Sequence, residues 1–292
     1  MTRILCFAAL STLALTGCNV TGDEPGPDAP SLIPTMAPAP FEHTEVASRT
    51  AIPLPMQSPA VGVTVDPDTG AQYVLDASNG MFLVTESGLE EVASWQQLVP
   101  IDGWDRRPYT DAVAVGGGKF AVTVESDGLL FDLETKTTTQ HFCYEPGFME
   151  TGGDWIETYQ LTNSVSYNPI TDQIVAQPQT FGDGPLIASI GLWDREIGGQ
   201  PTAWFDLPWA DFSAGGIVMD SEDRILMGRG ALLFQMKLGQ DGEPTPMMDL
   251  AEFGVIDIAG LALAPNGNLV VLNDGPTDEL VEIANWKPEL TL

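Results

Sequence analysis

Asp111, Glu125, Asn163, Asp257, Asn273 and Asp274 are the residues of this sequence best placed to do chemistry. Their carboxylate and amide oxygens are hard donors, and a ring of such oxygens could hold Ca²⁺ or another divalent ion. A metal held there would activate water, with a neighbouring carboxylate as base. The same residue types also close turns at strand ends, where they need no other role. A second set is aromatic: Trp104, Trp155 and Trp209, with Phe253 as a fourth member. Aromatic rings on one face could stack on sugars or anchor a protein partner, and could equally be a structural wedge repeated through the fold.

Other chemistries find little support. His43 and His141 flank no nucleophile motif, and no Cys/His cluster has metal-ligand spacing. Cys143 lies in the apolar stretch Phe142-Cys143-Tyr144, which suits a buried, inert thiol. Asp66-Pro67-Asp68-Thr69-Gly70 begins like a calcium loop but lacks the closing glutamate, so a tight hairpin turn is expected. None of the 30 glycines forms a phosphate-cradling loop ahead of a helix.

The elements that must position these residues recur along the chain. Gly62-Val63-Thr64-Val65, Ala112-Val113-Ala114-Val115, Ser164-Val165-Ser166-Tyr167, Gly216-Ile217-Val218-Met219 and Gly260-Leu261-Ala262-Leu263 each precede a turn. Each is then followed by an apolar run, from Tyr73-Val74-Leu75 to Leu269-Val270-Val271-Leu272. With Asp66, Gly116, Asn168, Asp220 and Ala264 as markers, the spacings are 50, 52, 52 and 44 residues. Alternation of period two is a strand signal, and periods of this size belong to propeller blades. The first position of each unit is small, as an innermost strand crowded at a central axis requires.

The sequence therefore predicts an all-β fold, one five-bladed β-propeller over residues 41–292, with six blades as the alternative. The last repeat supplies only three strands. Thr44 to Ile52 has no partner of its own and is expected to complete that blade and close the ring. The connectors into the innermost strands, and those between second and third strands, then converge on one face. That places Trp155, Glu157, Tyr159 and Asn163 in the connector entering the third innermost strand, and brings the oxygen-rich set to the axis.

The chain has 292 residues, 43% of them apolar, which is ample for a core. Its formal net charge is −30, with 11 Lys+Arg against 41 Asp+Glu. Such a surface repels nucleic acid and anionic headgroups, and favours solubility, saline surroundings or a basic partner. Arg3 followed by the apolar run Ile4 to Leu15 is too short for a permanent span and reads as an export signal. It ends in Leu15-Thr16-Gly17-Cys18, which resembles the lipobox of bacterial lipoproteins. That resemblance implies cleavage after residue 17, lipid on Cys18 and stable membrane anchoring. Asn19 at the following position implies the outer membrane. Residues 18–40 are rich in proline and acids, the composition of an extended tether.

Gly260-Leu261-Ala262-Leu263-Ala264-Pro265-Asn266-Gly267-Asn268-Leu269-Val270-Val271-Leu272-Asn273-Asp274 resembles a blade of NHL-type and gluconolactonase-like propellers, as does Val61 to Ser78. The gluconolactonase-like resemblance implies a metal on Glu, Asn and Asp side chains, parts that Glu125, Asn163, Asn273 and Asp257 could play. Three functions are open at this point. The leading one is a binding or scaffold protein of the cell envelope, a monomeric domain with a protein or glycan partner. The others are a metal-dependent lactonase or sugar-processing hydrolase and a carbohydrate-binding module.

Overall fold

The computed structural model describes residues 48–54, 59–100, 111–124, 127–143, 147–151, 154–181, 187–199, 201–207, 215–239 and 244–286. Its first strand, β1 (Ser48–Pro53), belongs to the last blade. Blade one follows as β2 (Ala60–Val65), β3 (Gln72–Asp76), β4 (Gly80–Thr85) and β5 (Gly88–Ser94), with a one-turn helix α1 (Trp95–Leu98) behind it. Blade two is β6 (Asp111–Gly116), β7 (Lys119–Val124), β8 (Asp127–Asp132) and β9 (Thr137–Cys143). Blade three has five strands: β10 (Gly147–Thr151), β11 (Asp154–Asn168), β12 (Gln173–Phe181), β13 (Ile187–Asp194) and β14 (Ala203–Asp206). Blade four is β15 (Gly216–Met219), β16 (Arg224–Arg229), β17 (Leu232–Lys237) and β18 (Thr245–Asp249), followed by a 3-10 turn at Leu250–Phe253. Blade five is β19 (Ile258–Leu263), β20 (Leu269–Asn273) and β21 (Glu279–Ala284), completed by β1.

Five antiparallel sheets thus form a five-bladed propeller, and every predicted innermost strand is innermost. Ring closure also occurs as predicted: β1 pairs with β21 from Ser48↔Ala284 to Pro53↔Glu279. The markers that set the repeat lie in the turns between first and second strands. Asp66 closes its turn by accepting the Asp68 and Thr69 N–H groups at 2.9 Å each, so the calcium-like stretch is a hairpin turn.

The core consists of apolar layers between adjacent blades. Leu75 and Met81 meet Phe120 and Phe131 between blades one and two; Ala121 meets Ile174 and Trp193 between two and three. Val175 and Ile190 meet Ile217 and Phe234, Leu226 and Leu233 meet Val271 and Val281, and Val270 and Leu272 meet Val63 and Val74 around the rest of the ring. Each fully buried side chain of this size contributes about 2 kcal/mol through lost apolar surface. Alternation in the second strands is weak because both faces of each blade are covered by neighbours.

The small first positions are explained by distance at the axis. A Cβ on Gly216 would stand 2.5 Å from the Leu261 nitrogen and 2.7 Å from the Gly260 carbonyl carbon. One on Gly62 would lie 2.3 Å from an Asp111 carboxylate oxygen.

The connector into blade three is itself strand: Trp155, Glu157, Tyr159 and Asn163 lie on β11, which runs fifteen residues. Trp155-Ile156-Glu157-Thr158-Tyr159 is itself rich in aromatic and β-branched residues, and it folds back on β10 as a hairpin.

Candidate functional site

The upper face is the end of the propeller at which the chain enters each innermost strand. Asp111 stands there as the first residue of β6, with 9% of its surface exposed. Its Oδ1 accepts the Ala112 N–H at 2.8 Å, and its Oδ2 accepts the Val165 N–H of blade three at 3.0 Å and the Ser164 hydroxyl at 3.4 Å. Ser164 Oγ in turn accepts the Ile217 N–H of blade four at 3.0 Å. Thr64 Oγ1 of blade one accepts the Ala114 N–H of blade two at 2.8 Å. Buried oxygens therefore join successive innermost strands from blade one to blade four, where a hydroxyl or carboxylate fits. Between blades four and five, and between five and one, glycine lets the backbones meet instead.

Burial pushes the Asp111 carboxyl up to about 7, against the lowering pull of the Val165 and Ala112 N–H groups and the Ser164 hydroxyl. Desolvation outweighs three favourable hydrogen bonds, so near neutrality this group exists in both charge states. Its oxygens nevertheless hold two backbone N–H groups and the Ser164 hydroxyl, as a blade-to-blade strut.

In blade five the structure brings Asp257, Asn273 and Asp274 together. Asn273 is buried; its Oδ1 accepts the Ile256 N–H at 2.7 Å and the Asp257 N–H at 3.3 Å, and its amide donates to the Gly254 carbonyl at 3.4 Å. The Asp274 N–H donates to the Asp257 carbonyl at 2.8 Å. Asp257 and Asp274 are themselves exposed, and partial burial together with the charges of Asp278 and Asp257 holds the Asp274 carboxyl above its usual range. Beside them opens a cleft of about 330 Å³ lined by Gly254, Ile256, Asn273, Pro276, Thr277 and Glu279. Ile256 is 60% exposed, and Arg49 of the closing strand pairs with Glu279 at 3.0 Å.

The corresponding position in blade one, Asp76, is likewise turn-forming. Its Oδ1 accepts the Ser78 and Asn79 N–H groups at 2.8 Å and the Asn79 amide at 2.9 Å, and the Trp95 indole donates to its carbonyl at 2.8 Å. Among the described residues, no group of three His, Cys, Asp or Glu side chains could hold a metal ion.

The remaining predicted residues divide as follows. Asn163 falls at the register shift between Thr162 and Ser164 on β11, and Trp155 pairs with Glu150 across the β10–β11 hairpin. Phe253 ends the 3-10 turn and packs on the layer between blades four and five, as the wedge reading expects. Cys18, Trp104, Glu125 and Trp209 lie outside the described residues. What sequence reasoning missed is the strut formed by Thr64, Asp111 and Ser164. Its only signal was a hydroxyl or carboxylate recurring near the first position of three blades. No protein-family model matches the chain, and no curated protein matches it in sequence.

Proposed function

We propose that the chain is a lipid-anchored binding or scaffold protein of the bacterial cell envelope, held on its tether through Cys18 and working by presenting the propeller to a partner. The observation that carries binding over catalysis is the use made of Asp111 and Asn273. Both are buried polar groups of the upper face, and their oxygens hold backbone N–H groups in place. A general base or metal ligand needs a lone pair free for substrate or ion. The cleft of blade five, with exposed Ile256 beside polar rim groups, has the mixed character of a recognition surface. The anchor rests on Leu15-Thr16-Gly17-Cys18 behind its apolar run, and the outer membrane on Asn19.

The test has two parts. Replacing Cys18 with Ala is expected to move the protein from the membrane fraction to the soluble fraction of the envelope, and an unchanged distribution would remove the anchor. The metal content and thermal midpoint of the protein are measured before and after EDTA. An unmoved midpoint with no stoichiometric ion is expected. A tightly held ion whose removal lowers the midpoint would reverse the choice in favour of a metal-dependent hydrolase.

A further inference from the structure

The upper loop of blade five is held differently from that of blade one. In blade one Asp76 folds its own loop down, because its Oδ1 accepts the Ser78 and Asn79 N–H groups. In blade five the Asn273 Oδ1 reaches across instead, to the Ile256 and Asp257 N–H groups of the connector entering β19. The loop between β20 and β21 has five residues, against three between β3 and β4. The cleft of about 330 Å³ opens between that loop and the connector.

Its walls carry a mixed set of groups. Glu279 engages Arg49 through Oε2, which leaves Oε1 as an acceptor. The Arg49 guanidinium borders the cleft, since a Cβ on Gly254 would stand 3.7 Å from its Nε, Cζ and Nη2. It donates through Nη2 to Glu279, and a guanidinium has five N–H groups to give. Asn273, only 2% exposed, donates to the Gly254 carbonyl at 3.4 Å and has a second amide hydrogen. Thr277 adds an exposed hydroxyl, while Ile256 and Pro276 add aliphatic surface.

An acceptor and a donor of opposite charge, side by side, select for hydroxyl groups. A hydroxyl donates to the carboxylate and accepts from the guanidinium at once. An ammonium group would suit Glu279 but face Arg49, and a carboxylate would do the reverse. Anions meet a further barrier, because Asp257, Asp274 and Asp278 surround the same loop. Partial burial, then the charges of Asp278 and Asp257, already raise the Asp274 carboxyl. We infer that the blade-five cleft binds a neutral sugar, its hydroxyls held by the Glu279–Arg49 pair and the Asn273 amide, its C–H face laid on Ile256 and Pro276. The inference rests on reading the propeller as a binding protein and names the ligand class of one site. The volume is at the small end of ligand clefts, so a single ring fits better than a chain. A ligand of about a dozen heavy atoms at ordinary efficiency binds with a Kd on the order of 1 mM.

The test titrates the full-length protein with the methyl glycosides of glucose, galactose, mannose and N-acetylglucosamine, followed by ligand-observed NMR. Saturable binding of at least one is expected. Glu279→Gln and Arg49→Met are each expected to weaken it about tenfold, as loss of a hydrogen bond to a charged group does. Gly275→Leu is expected to abolish it by filling the cleft. A Cβ there meets nothing closer than the Ile256 tip at 3.4 Å, so the fold has room for it. Ile256→Ser should weaken binding, whereas Ile197→Ser, at an 80% exposed isoleucine on the opposite end of the propeller, should leave it within twofold. Glu279→Gln changes shape so little that it separates recognition from folding should another variant not fold. Equal losses at Ile256 and Ile197 would place the sugar elsewhere and overturn the assignment. Glucuronate bound as tightly as the best glycoside would overturn it too, because the cleft would then not select against anions. No glycoside bound at concentrations well above that Kd, with the midpoint still unmoved by EDTA, would remove this ligand and leave the binding function standing. Methanol released from a glycoside would show catalysis and overturn the binding function along with the assignment.

Discussion

Raising the pH from about 5 to about 8 is expected to destabilise the propeller through a single side chain, Asp111. Its carboxyl is raised by burial to about 7 in the folded protein, against an ordinary value of 3.8. The folded state therefore holds the proton more tightly than the unfolded state does. Stability from this group is fully present below the unfolded value and is lost as pH climbs through the folded one. The loss is roughly 3 kcal/mol between about pH 5 and about pH 8, at about 1.4 kcal/mol per pH unit until the group is ionised. Asp111→Asn removes that dependence and keeps an acceptor for the Ala112 N–H, but turns an amide N–H₂ toward the Val165 N–H or the reverse. At about pH 5 the variant should be the weaker by about 2 kcal/mol, the cost of a buried donor left without its acceptor. By about pH 8 the difference should have moved about 3 kcal/mol in the variant's favour, because its side chain has no ionisation to resist. Urea unfolding of both proteins at the two pH values measures this. The other carboxylates titrate alike in both and cancel. A difference that stays constant with pH would mean that Asp111 ionises outside this window.

The second large effect is steric. Gly215→Ala is expected to cost about 3 kcal/mol or more, because backbone has to move. Its Cβ would stand 1.6 Å from the Ile258 carbonyl oxygen, and that of Gly216→Ala would meet the Leu261 nitrogen at 2.5 Å. Both neighbours are main-chain atoms of blade five, so relief requires opening the joint between blades four and five. Gly275→Ala is the matched control: its Cβ would approach nothing closer than the tip of Ile256 at 3.4 Å. Thermal unfolding of the three variants should leave the Gly275 change near wild type and drop the other two well below it. If Gly215→Ala melts with Gly275→Ala, the axis is looser than these distances imply.

Much of this fold was legible because propeller blades repeat. Each blade needs a small residue at the axis, a turn residue at the marker and an apolar second strand, so the requirement is written five times. The closing strand was legible by elimination, since a blade with three strands leaves an open edge. The β10–β11 ribbon was not legible, because among the described residues it occurs once and no repeat announces it. Gly152-Gly153 between two aromatic-rich runs was its only mark in the sequence. The upper face was half legible. Asp257, Asn273 and Asp274 do meet, since they flank connectors that the topology places side by side. The employment of Asp111 was hidden: its partner Val165 is 54 residues away in another blade, and a carboxylate looks the same in sequence whether it faces a ligand or a neighbouring N–H.

The closing strand also sets the order in which the molecule can be finished. Ser48 is synthesised long before its partner Ala284, so β1 stays unpaired while blades one to four and most of blade five assemble. Non-local pairing of this kind comes late and slowly, and an unpaired strand invites wrong partners meanwhile. The sequence of β1, Ser-Arg-Thr-Ala-Ile-Pro, suits that wait. A charge at its second residue and a proline at its end discourage pairing with strangers. A chain stopped before Glu279 has no strand to receive it, so the ring is locked only once β21 has been delivered.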